Sequence, residues 1–139
     1  MGLYIPKHFA VHEFVPPEIY KSLGDAALKK MDEKIVRSAD QMREFFGASI
    51  TINNWYWDGD RLYSGWRPDN CPIGAPNSMH KKGMAIDCIV AGIKAARVRT
   101  EIIKNRRAFP FITRLESGVS WVHLDCKPTG KEEIVLFNP

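Results

Sequence analysis

The segment SMHKKGMAIDC, residues 78–88, contains a histidine and an aspartate seven residues apart, separated by a Lys-Lys-Gly turn. The apolar residues around the aspartate favour an extended strand, so Asp87 is expected on a strand and His80 in the loop before it. Another histidine, His123, lies within WVHLD at residues 121–125. Imidazole nitrogens and a carboxylate oxygen are typical zinc ligands, and three protein ligands leave a fourth position open for water. We therefore interpret the two histidines and the aspartate as a zinc site with an open, catalytic position.

Side-chain alternation along the two expected strands supports this interpretation. Neighbouring side chains in a strand point to opposite faces, so Asp87 points away from Cys88, and His123 shares a face with Asp125 but not with Cys126. This alternation favours a site without thiolate ligands. The competing interpretation is that the polar residues are unrelated, with His123 and Asp125 forming only a hydrogen-bonded pair.

Three motifs together resemble a known family. They are SGWRP at residues 64–68, Ser-x-His-x-x-Gly-x-Ala-x-Asp at residues 78–87, and Trp-x-His at residues 121–123. The combination is similar to the zinc D-alanyl-D-alanine carboxypeptidases and L-alanyl-D-glutamate endopeptidases, a family that shares its fold with the Hedgehog signalling domain. The resemblance covers about residues 9–126, and the motif that contains the first histidine is its specific part.

The resemblance implies a single zinc peptidase domain over residues 1–139, with one zinc ion per chain. The implied reaction is hydrolysis of peptide bonds in bacterial peptidoglycan stem peptides, as an endopeptidase or a D-Ala-D-Ala carboxypeptidase, with a metal-bound water as nucleophile. The small size is similar to that of phage lysins, and a phage or bacterial origin stays open. The alternative is a catalytically inactive, metal-stabilised binding or virion-associated domain.

A zinc peptidase also needs a general base, and Glu116 is the expected one. It ends the strand that turns back into the His123 strand, and it matches the acidic residue that the family carries upstream of the last ligand. In some branches that glutamate lies three residues before the last histidine, a position occupied here by Ser120. Asp125 is the rival base, although we favour it as the group that orients an imidazole.

Arg67 occupies the arginine position of the family's Ser-Gly-x-Arg motif. It is expected to bind a substrate carboxylate or to stabilise the developing oxyanion, and the alternative is a structural ion pair. The aromatic turn at residues 54–60 either packs internally or lines a substrate cleft. The further residues expected to orient the ligands or to contact substrate are Ser64, Trp66, Ser78, Trp121 and Asp125.

Composition fits one folded domain. With 139 residues, 45% of them hydrophobic and 26% charged, the chain can bury a single core and is not expected to be disordered. The net charge of +4 favours an anionic partner such as a cell wall. Six of the basic residues lie between residues 94 and 107, which we interpret as the solvated face of a helix, and the alternative is non-specific attraction to anionic polymers. No specific nucleic-acid binding is expected, and we expect a monomer.

The cellular setting follows from the cysteines and the first residues. Three cysteines, Cys71, Cys88 and Cys126, are too few for a disulfide framework and are expected to be reduced. The N-terminal residues show no basic segment followed by an apolar one, and no stretch is long enough for membrane insertion. We expect synthesis in the cytoplasm and action on the cell wall after release or delivery.

Periodicity predicts an α+β fold with helices on one side of a mostly antiparallel sheet, as in the Hedgehog and DD-peptidase domains. A helix with Asp25 as N-cap is expected to run to Gly47. The N-terminal arm contains His8 and His12, whose surroundings are not typical of metal ligands. The other predicted elements are helices at 18–23 and 91–107 and strands at 49–53, 61–64, 84–90, 111–116, 120–126 and 133–137.

Overall fold

The computed structural model describes residues 3–139, which form three α-helices and a five-stranded sheet. The α+β prediction is therefore confirmed. Short 3₁₀ turns connect several of the elements. The helices are α1 (Pro17–Leu23), α2 (Glu33–Phe46) and α3 (Ala95–Lys104), and the strands are β1 (Ile50–Thr51), β2 (Ala85–Val90), β3 (Arg114–Glu116), β4 (Val122–Asp125) and β5 (Val135–Phe137).

The sheet has the strand order β1-β2-β4-β3-β5. The pairings β1 with β2, β2 with β4, and β4 with β3 are antiparallel, whereas β5 runs parallel to β3. The predicted hairpin is present, because β3 turns back into β4. The sheet is mixed rather than purely antiparallel, because β4 ends and β5 begins beside Arg114, so the chain crosses β3 at one end and β5 then runs in the same direction as β3.

The hydrophobic core lies on one face of the sheet. Ile86 and Cys88 of β2 and Leu124 of β4 are fully buried in the same apolar cluster as residues from α2 and α3. Burying each aliphatic side chain of this kind contributes about 1.5–3 kcal/mol. The alternating positions of β2 and β4 therefore present Asp87 and His123 on the opposite face, away from the core helices. The helical residues in the cluster are Ile35, Val36, Ala39, Met42, Val98 and Ile102.

Helix α2 begins later than predicted. Asp32 is its N-cap, since its carboxylate accepts a hydrogen bond from the Lys34 amide at 2.8 Å. Asp25 lies in a 3₁₀ turn, Gly24–Lys30, so its prediction as the N-cap was wrong. The helix cannot extend back because the backbone at residues 30–32 lies against Gly83, whose carbonyl accepts from the Asp32 amide at 2.9 Å. The predicted C-terminal stop at Gly47 is confirmed, with φ of 60°.

Several other predicted boundaries change. Residues 61–64 do not form a strand, because side chains of Asn53 and Asn54 bind the backbone there in place of a strand partner. The strand predicted at 49–53 is reduced to two residues, and the helix predicted at 91–107 is shortened to α3. Within residues 3–139, no helix is both long and apolar enough to cross a membrane.

Candidate metal centre

Three predicted ligands come together on the face of the sheet opposite the core. Asp87 lies on β2, His123 lies on the neighbouring strand β4, and His80 lies in the 3₁₀ turn Met79–Lys82. Asp87 Oδ1 is 3.2 Å from His80 Nε2 and 2.9 Å from His123 Nδ1. One ligand atom of each residue lies within 4.8 Å of the others. The group can therefore hold a metal ion.

Local sequence fixes the turn that carries His80. The Ser78 hydroxyl accepts a hydrogen bond from the His80 amide at 3.2 Å, which begins the turn. Gly83 ends it with φ of 70°, and a Cβ at this position would lie 1.9 Å from the Lys30 carbonyl oxygen. Only glycine allows both this conformation and this close contact. The spacing of serine, histidine and glycine is thus a structural requirement for the position of the imidazole.

The hydrogen bonds behind the two imidazoles determine which nitrogens face the site. His80 Nδ1 lies 2.9 Å from the Gly65 carbonyl oxygen, which only accepts, so this nitrogen carries the hydrogen. His123 Nε2 lies 2.9 Å from Asp125 Oδ2 and donates to it in the same way. In the neutral rings, His80 Nε2 and His123 Nδ1 therefore direct lone pairs at the same oxygen of Asp87. Such a convergence is unfavourable unless a positive charge lies between the three atoms.

The second oxygen of Asp87 is held by Arg67. Arg67 Nη2 lies 3.3 Å from Asp87 Oδ2, and Arg67 Nε donates to the Tyr63 carbonyl at 2.7 Å. The guanidinium is buried, so the ion pair expected as the alternative role of Arg67 is present. The pairing orients the carboxylate and leaves its other oxygen for the metal site.

The pKa values of the site indicate that it requires positive charge. Burial alone would lower the pKa of His123, but hydrogen bonds to Asp125 and Asp87 outweigh it and raise the pKa to about 9. Burial would likewise raise the pKa of Asp87, yet contacts with His123 and His80 hold it well below its usual range. In the protein without metal, a proton on His123 therefore takes the place of a cation.

A cleft of about 410 Å³ opens over the three ligands, and Glu116 lines it. The β3–β4 pairing of Leu115 with Leu124 places Glu116 opposite His123, in the same row of the sheet as Asp87. Glu116 is half-buried. Its charge acts on Arg67 and opposes the lowering of the Arg67 pKa by burial. A carboxylate is thus present beside the ligands without being one of them.

The other predicted residues divide into two groups. Ser78 and Trp121 line the cleft. Ser64 and Trp66 do not line it, so of the two roles predicted for them, orienting the ligands or contacting substrate, the cleft does not support substrate contact. The Ser64 carbonyl instead accepts from the Asp87 amide at 2.7 Å, which fixes β2, and the Trp66 ring packs against the core with Lys30 above it.

Asp125 lies behind His123 rather than in the cleft. Its side chain is fully buried, and both of its oxygens bind Arg114 of β3, at 3.0 Å to Nε and 2.8 Å to Nη2. Burial would raise the pKa of Asp125, but hydrogen bonds from His123 and Arg114 lower it. A carboxylate with these partners orients His123, as the sequence analysis favoured, and has no route to a substrate.

Sequence reasoning missed several residues that line the cleft, and those with a charged or aromatic side chain are Arg114, Lys127 and Phe137. Phe137 pairs with Glu116 across β3 and β5, and its ring contacts both Arg114 and His123. Arg114 lies two residues before Glu116 on one strand, so alternation along β3 was a signal that could have identified it. No comparable sequence signal marks Phe137, because its position depends on the parallel pairing of β5.

The remaining histidines and the cysteines lie outside the candidate site. His8 Nε2 contacts Glu44 at 3.0 Å, and His12 lies among aromatic rings. Cys71, Cys88 and Cys126 are buried and unpaired within residues 3–139. None of the three belongs to the candidate metal group, and for Cys88 and Cys126 the strand alternation favoured this arrangement.

Comparison with known proteins adds no relative. No protein-family model matches the chain, and neither curated proteins nor solved structures provide a match. The candidate metal centre is therefore supported by the motifs of the chain and by the geometry described above.

Proposed function

We propose that this protein is a zinc-dependent peptidase with a Hedgehog/DD-peptidase-like fold that hydrolyses peptide bonds in peptidoglycan stem peptides. The observation that carries the proposal is the convergence of two imidazole lone pairs and one carboxylate oxygen. A further contact orients each of these groups. The Gly65 carbonyl binds His80, Asp125 binds His123, and Arg67 binds Asp87. The choice of peptidoglycan as substrate comes from the resemblance of the motifs to the zinc carboxypeptidase and endopeptidase family.

The donor set fits zinc. Two neutral imidazoles and one carboxylate are ligands of catalytic zinc sites, and hydrogen bonds behind the ligands are typical of such centres. Zinc bound there would polarise a scissile carbonyl group and make a nearby water acidic enough to attack it at neutral pH. The cleft over the three ligands provides the open side that a substrate requires.

Glu116 is the residue we assign to proton transfer. It lines the cleft next to His123, and it forms no side-chain hydrogen bond or ion pair with another described residue of the chain. A half-buried carboxylate without protein partners is available to take a proton from the attacking water and pass it to the leaving amine. Asp125 is not available for proton transfer, because its carboxylate already accepts hydrogen bonds from His123 and Arg114.

Other residues of the cleft are suited to hold the peptide. Arg67 borders the cleft beside Asp87 and can stabilise negative charge that develops on the scissile carbonyl. Trp121 contributes an exposed apolar wall, and Lys127 contributes a cation at the edge. The proposed substrate is a cell-wall component. In this proposal the protein acts on it after release from the cell or delivery to the wall.

The test combines metal analysis with a digest. Mass spectrometry of the purified protein is expected to show about one zinc per chain. Incubation with purified peptidoglycan should release peptide fragments whose masses identify the cleaved bond. The His80→Ala variant should lose both zinc and fragment release, whereas the matched His8→Ala variant, which changes a surface histidine outside the metal group, should keep both.

Each result has a defined meaning. Zinc with fragment release supports the peptidase. Zinc without fragment release from several peptidoglycan types would favour the alternative of an inactive, metal-stabilised binding or virion-associated domain. A folded protein that takes up no zinc when the metal is added would contradict the proposal at its first step.

A further inference from the structure

Two exposed aromatic rings lie outside the metal cleft. Tyr56 and Trp57, in the 3₁₀ turn Trp55–Trp57, are 54% and 61% exposed. The two rings are nearly perpendicular, with 6.1 Å between centroids and 84° between planes, so their exposed parts form an angled apolar surface, and such surfaces mark interaction sites. We call Tyr56 and Trp57 the aromatic platform.

A histidine supports the platform from below. The His12 ring is parallel to Tyr56, with 3.9 Å between ring centroids and 9° between planes, and its edge-on contact with Trp57 is 5.0 Å. One face of Tyr56 is therefore covered by the imidazole, and its exposed area is on the other face. Tyr20 and Trp55 complete the ring of aromatic side chains around the histidine.

Hydrogen bonds hold the turn in one conformation. Trp55 Nε1 donates to the Val15 carbonyl at 2.8 Å, and the Gly59 amide donates to the Asn54 carbonyl at 2.9 Å. A Cβ at Gly59 would lie 2.1 Å from the Asn54 side chain, so the turn closes tightly. Asp58 adopts a left-handed conformation with φ of 66°. A surface already fixed in this way loses little entropy when it binds.

The charges around the platform select the ligand class. Asp58 and Asp60 follow the rings within three residues and are exposed, and Asp25 lies near Tyr20, whose pKa is raised first by burial and then by this carboxylate. Bases of nucleic acids also stack on aromatic rings, but their phosphates require cations beside the rings. Carboxylates instead accept hydrogen bonds from hydroxyl groups. An aromatic face bordered by carboxylates suits an uncharged sugar ring, whose C–H face stacks while its hydroxyls donate.

A groove adjoins the metal cleft and begins at Asp60, three residues after Trp57. It has a volume of about 370 Å³ and is lined by residues 60–64 together with Arg67 and Ile73. Arg67 and Ile73 also line the metal cleft, so the two depressions adjoin. A ligand that carries a peptide attached to a sugar chain could therefore occupy the cleft with one part and the platform with the other.

We propose that Tyr56 and Trp57 bind a sugar ring of the uncharged glycan strand of peptidoglycan while the attached stem peptide occupies the metal cleft. In that strand the lactyl carboxyl groups are consumed in amide bonds to the peptides, so the carboxylates beside the platform meet no negative charge. The choice of this glycan rests on the proposed function. The stacking surface and its acidic border are independent of it.

The experiment uses a linear hexamer of β-1,4-linked N-acetylglucosamine as the probe and isothermal titration calorimetry as the measurement. The intact protein is expected to bind the hexamer, and Trp57→Ala should weaken binding about tenfold through loss of the stacked ring. Trp57→Phe keeps a ring and should restore most of the affinity. Phe45→Ala removes a ring that is 41% exposed on α2 and should leave sugar binding unchanged. Thermal melting of each variant establishes that it is folded.

Three outcomes would overturn the inference: no binding of the hexamer at millimolar concentration, undiminished binding by Trp57→Ala, or displacement of the hexamer by single-stranded DNA. Cleavage of a soluble stem peptide, measured separately, distinguishes this failure from that of the proposed function. Peptide cleavage without sugar binding would contradict only the inference that the aromatic platform binds sugar. Sugar binding without any peptide cleavage would contradict the proposed peptidase function and indicate a glycan-binding protein.

Discussion

His123 Nε2 lies 2.9 Å from Asp125 Oδ2, on the side of the ring away from Asp87. Asp125 is in turn held by three hydrogen bonds from Nε and Nη2 of Arg114 on the adjacent strand. This arrangement fixes the hydrogen of the imidazole on Nε2 and leaves the lone pair of Nδ1 available to a metal ion. The orientation of one ligand therefore depends on a residue that no substrate reaches.

Replacing Asp125 by Asn should weaken zinc binding by about 10–100-fold. The amide keeps the shape of the side chain but removes the charge that holds the imidazole hydrogen on Nε2. Competition with a chelator measures the zinc affinity. Glu133→Gln, the same chemical change at an exposed position, is the control and should bind zinc as the original protein does. Unchanged zinc affinity in Asp125→Asn would show that Asp125 does not orient His123.

Replacing Glu116 by Gln should lower peptide hydrolysis by about 10²–10⁴-fold, because proton transfer is lost, while one zinc per chain is retained. Glu116 forms no ion pair with another described residue, so the free energy of unfolding should change by less than about 0.5 kcal/mol. Initial rates on a soluble stem peptide measure the first effect, and urea denaturation measures the second. Full activity in Glu116→Gln would show that Glu116 is not the general base.

The two glycines Gly83 and Gly92 offer a matched pair of backbone tests. Both have positive φ, 70° and 76°, but a Cβ at Gly83 meets the Lys30 carbonyl at 1.9 Å, whereas a Cβ at Gly92 meets nothing within 4 Å. Gly92→Ala should therefore cost only the conformational strain, about 1–2 kcal/mol. Gly83→Ala should cost more than about 3 kcal/mol, because backbone must also move.

Urea denaturation of the two glycine variants measures the difference directly. Since Gly83 also ends the turn that carries His80, the Gly83→Ala variant should bind zinc more weakly than Gly92→Ala. Equal stability of the two variants would argue against the close contact between Gly83 and residues 30–32.

The protein without metal should become less stable as pH rises from about 6.5 to about 9. The pKa of His123 is raised from its ordinary value of 6.5 to about 9, so the protonated ring stabilises the fold fully below 6.5 and ceases to do so as pH rises through 9. Thermal melting in the presence of a chelator measures this loss. The His123→Ala variant is the control and should show a weaker dependence on pH.

Zinc should reverse the direction of this dependence. Binding requires the unprotonated imidazole, so about one proton leaves His123 for each zinc bound, and the apparent affinity should rise about tenfold per pH unit below pH 9. Calorimetry in two buffers of different ionisation enthalpy counts the released proton. A zinc affinity that does not vary between pH 6 and 8 would contradict the assignment of His123 as a ligand.

The fold class and most elements could be predicted from the sequence because their signals are local. Alternation along β2 and β4, the glycine at position 47 and the spacing around His80 all describe residues close in sequence. The prediction failed at Asp25 and at residues 61–64. The Gly83 backbone lies against residues 30–32, and the side chains of Asn53 and Asn54 bind the backbone of residues 61–64. These contacts replaced the regular element, and hydrophobic periodicity does not report them.

The sequence by itself determined the candidate ligands and the turn that delivers one of them, because the ligand types and the glycine requirement belong to single residues. Only the tertiary structure decided which residues bind and orient those candidate ligands. The contacts of Arg67 with Asp87, and of Arg114 with Asp125, depend on strand register and on which partner each buried polar group reaches. A buried charge needs a partner from anywhere in the chain, and that choice is made when the strands pair.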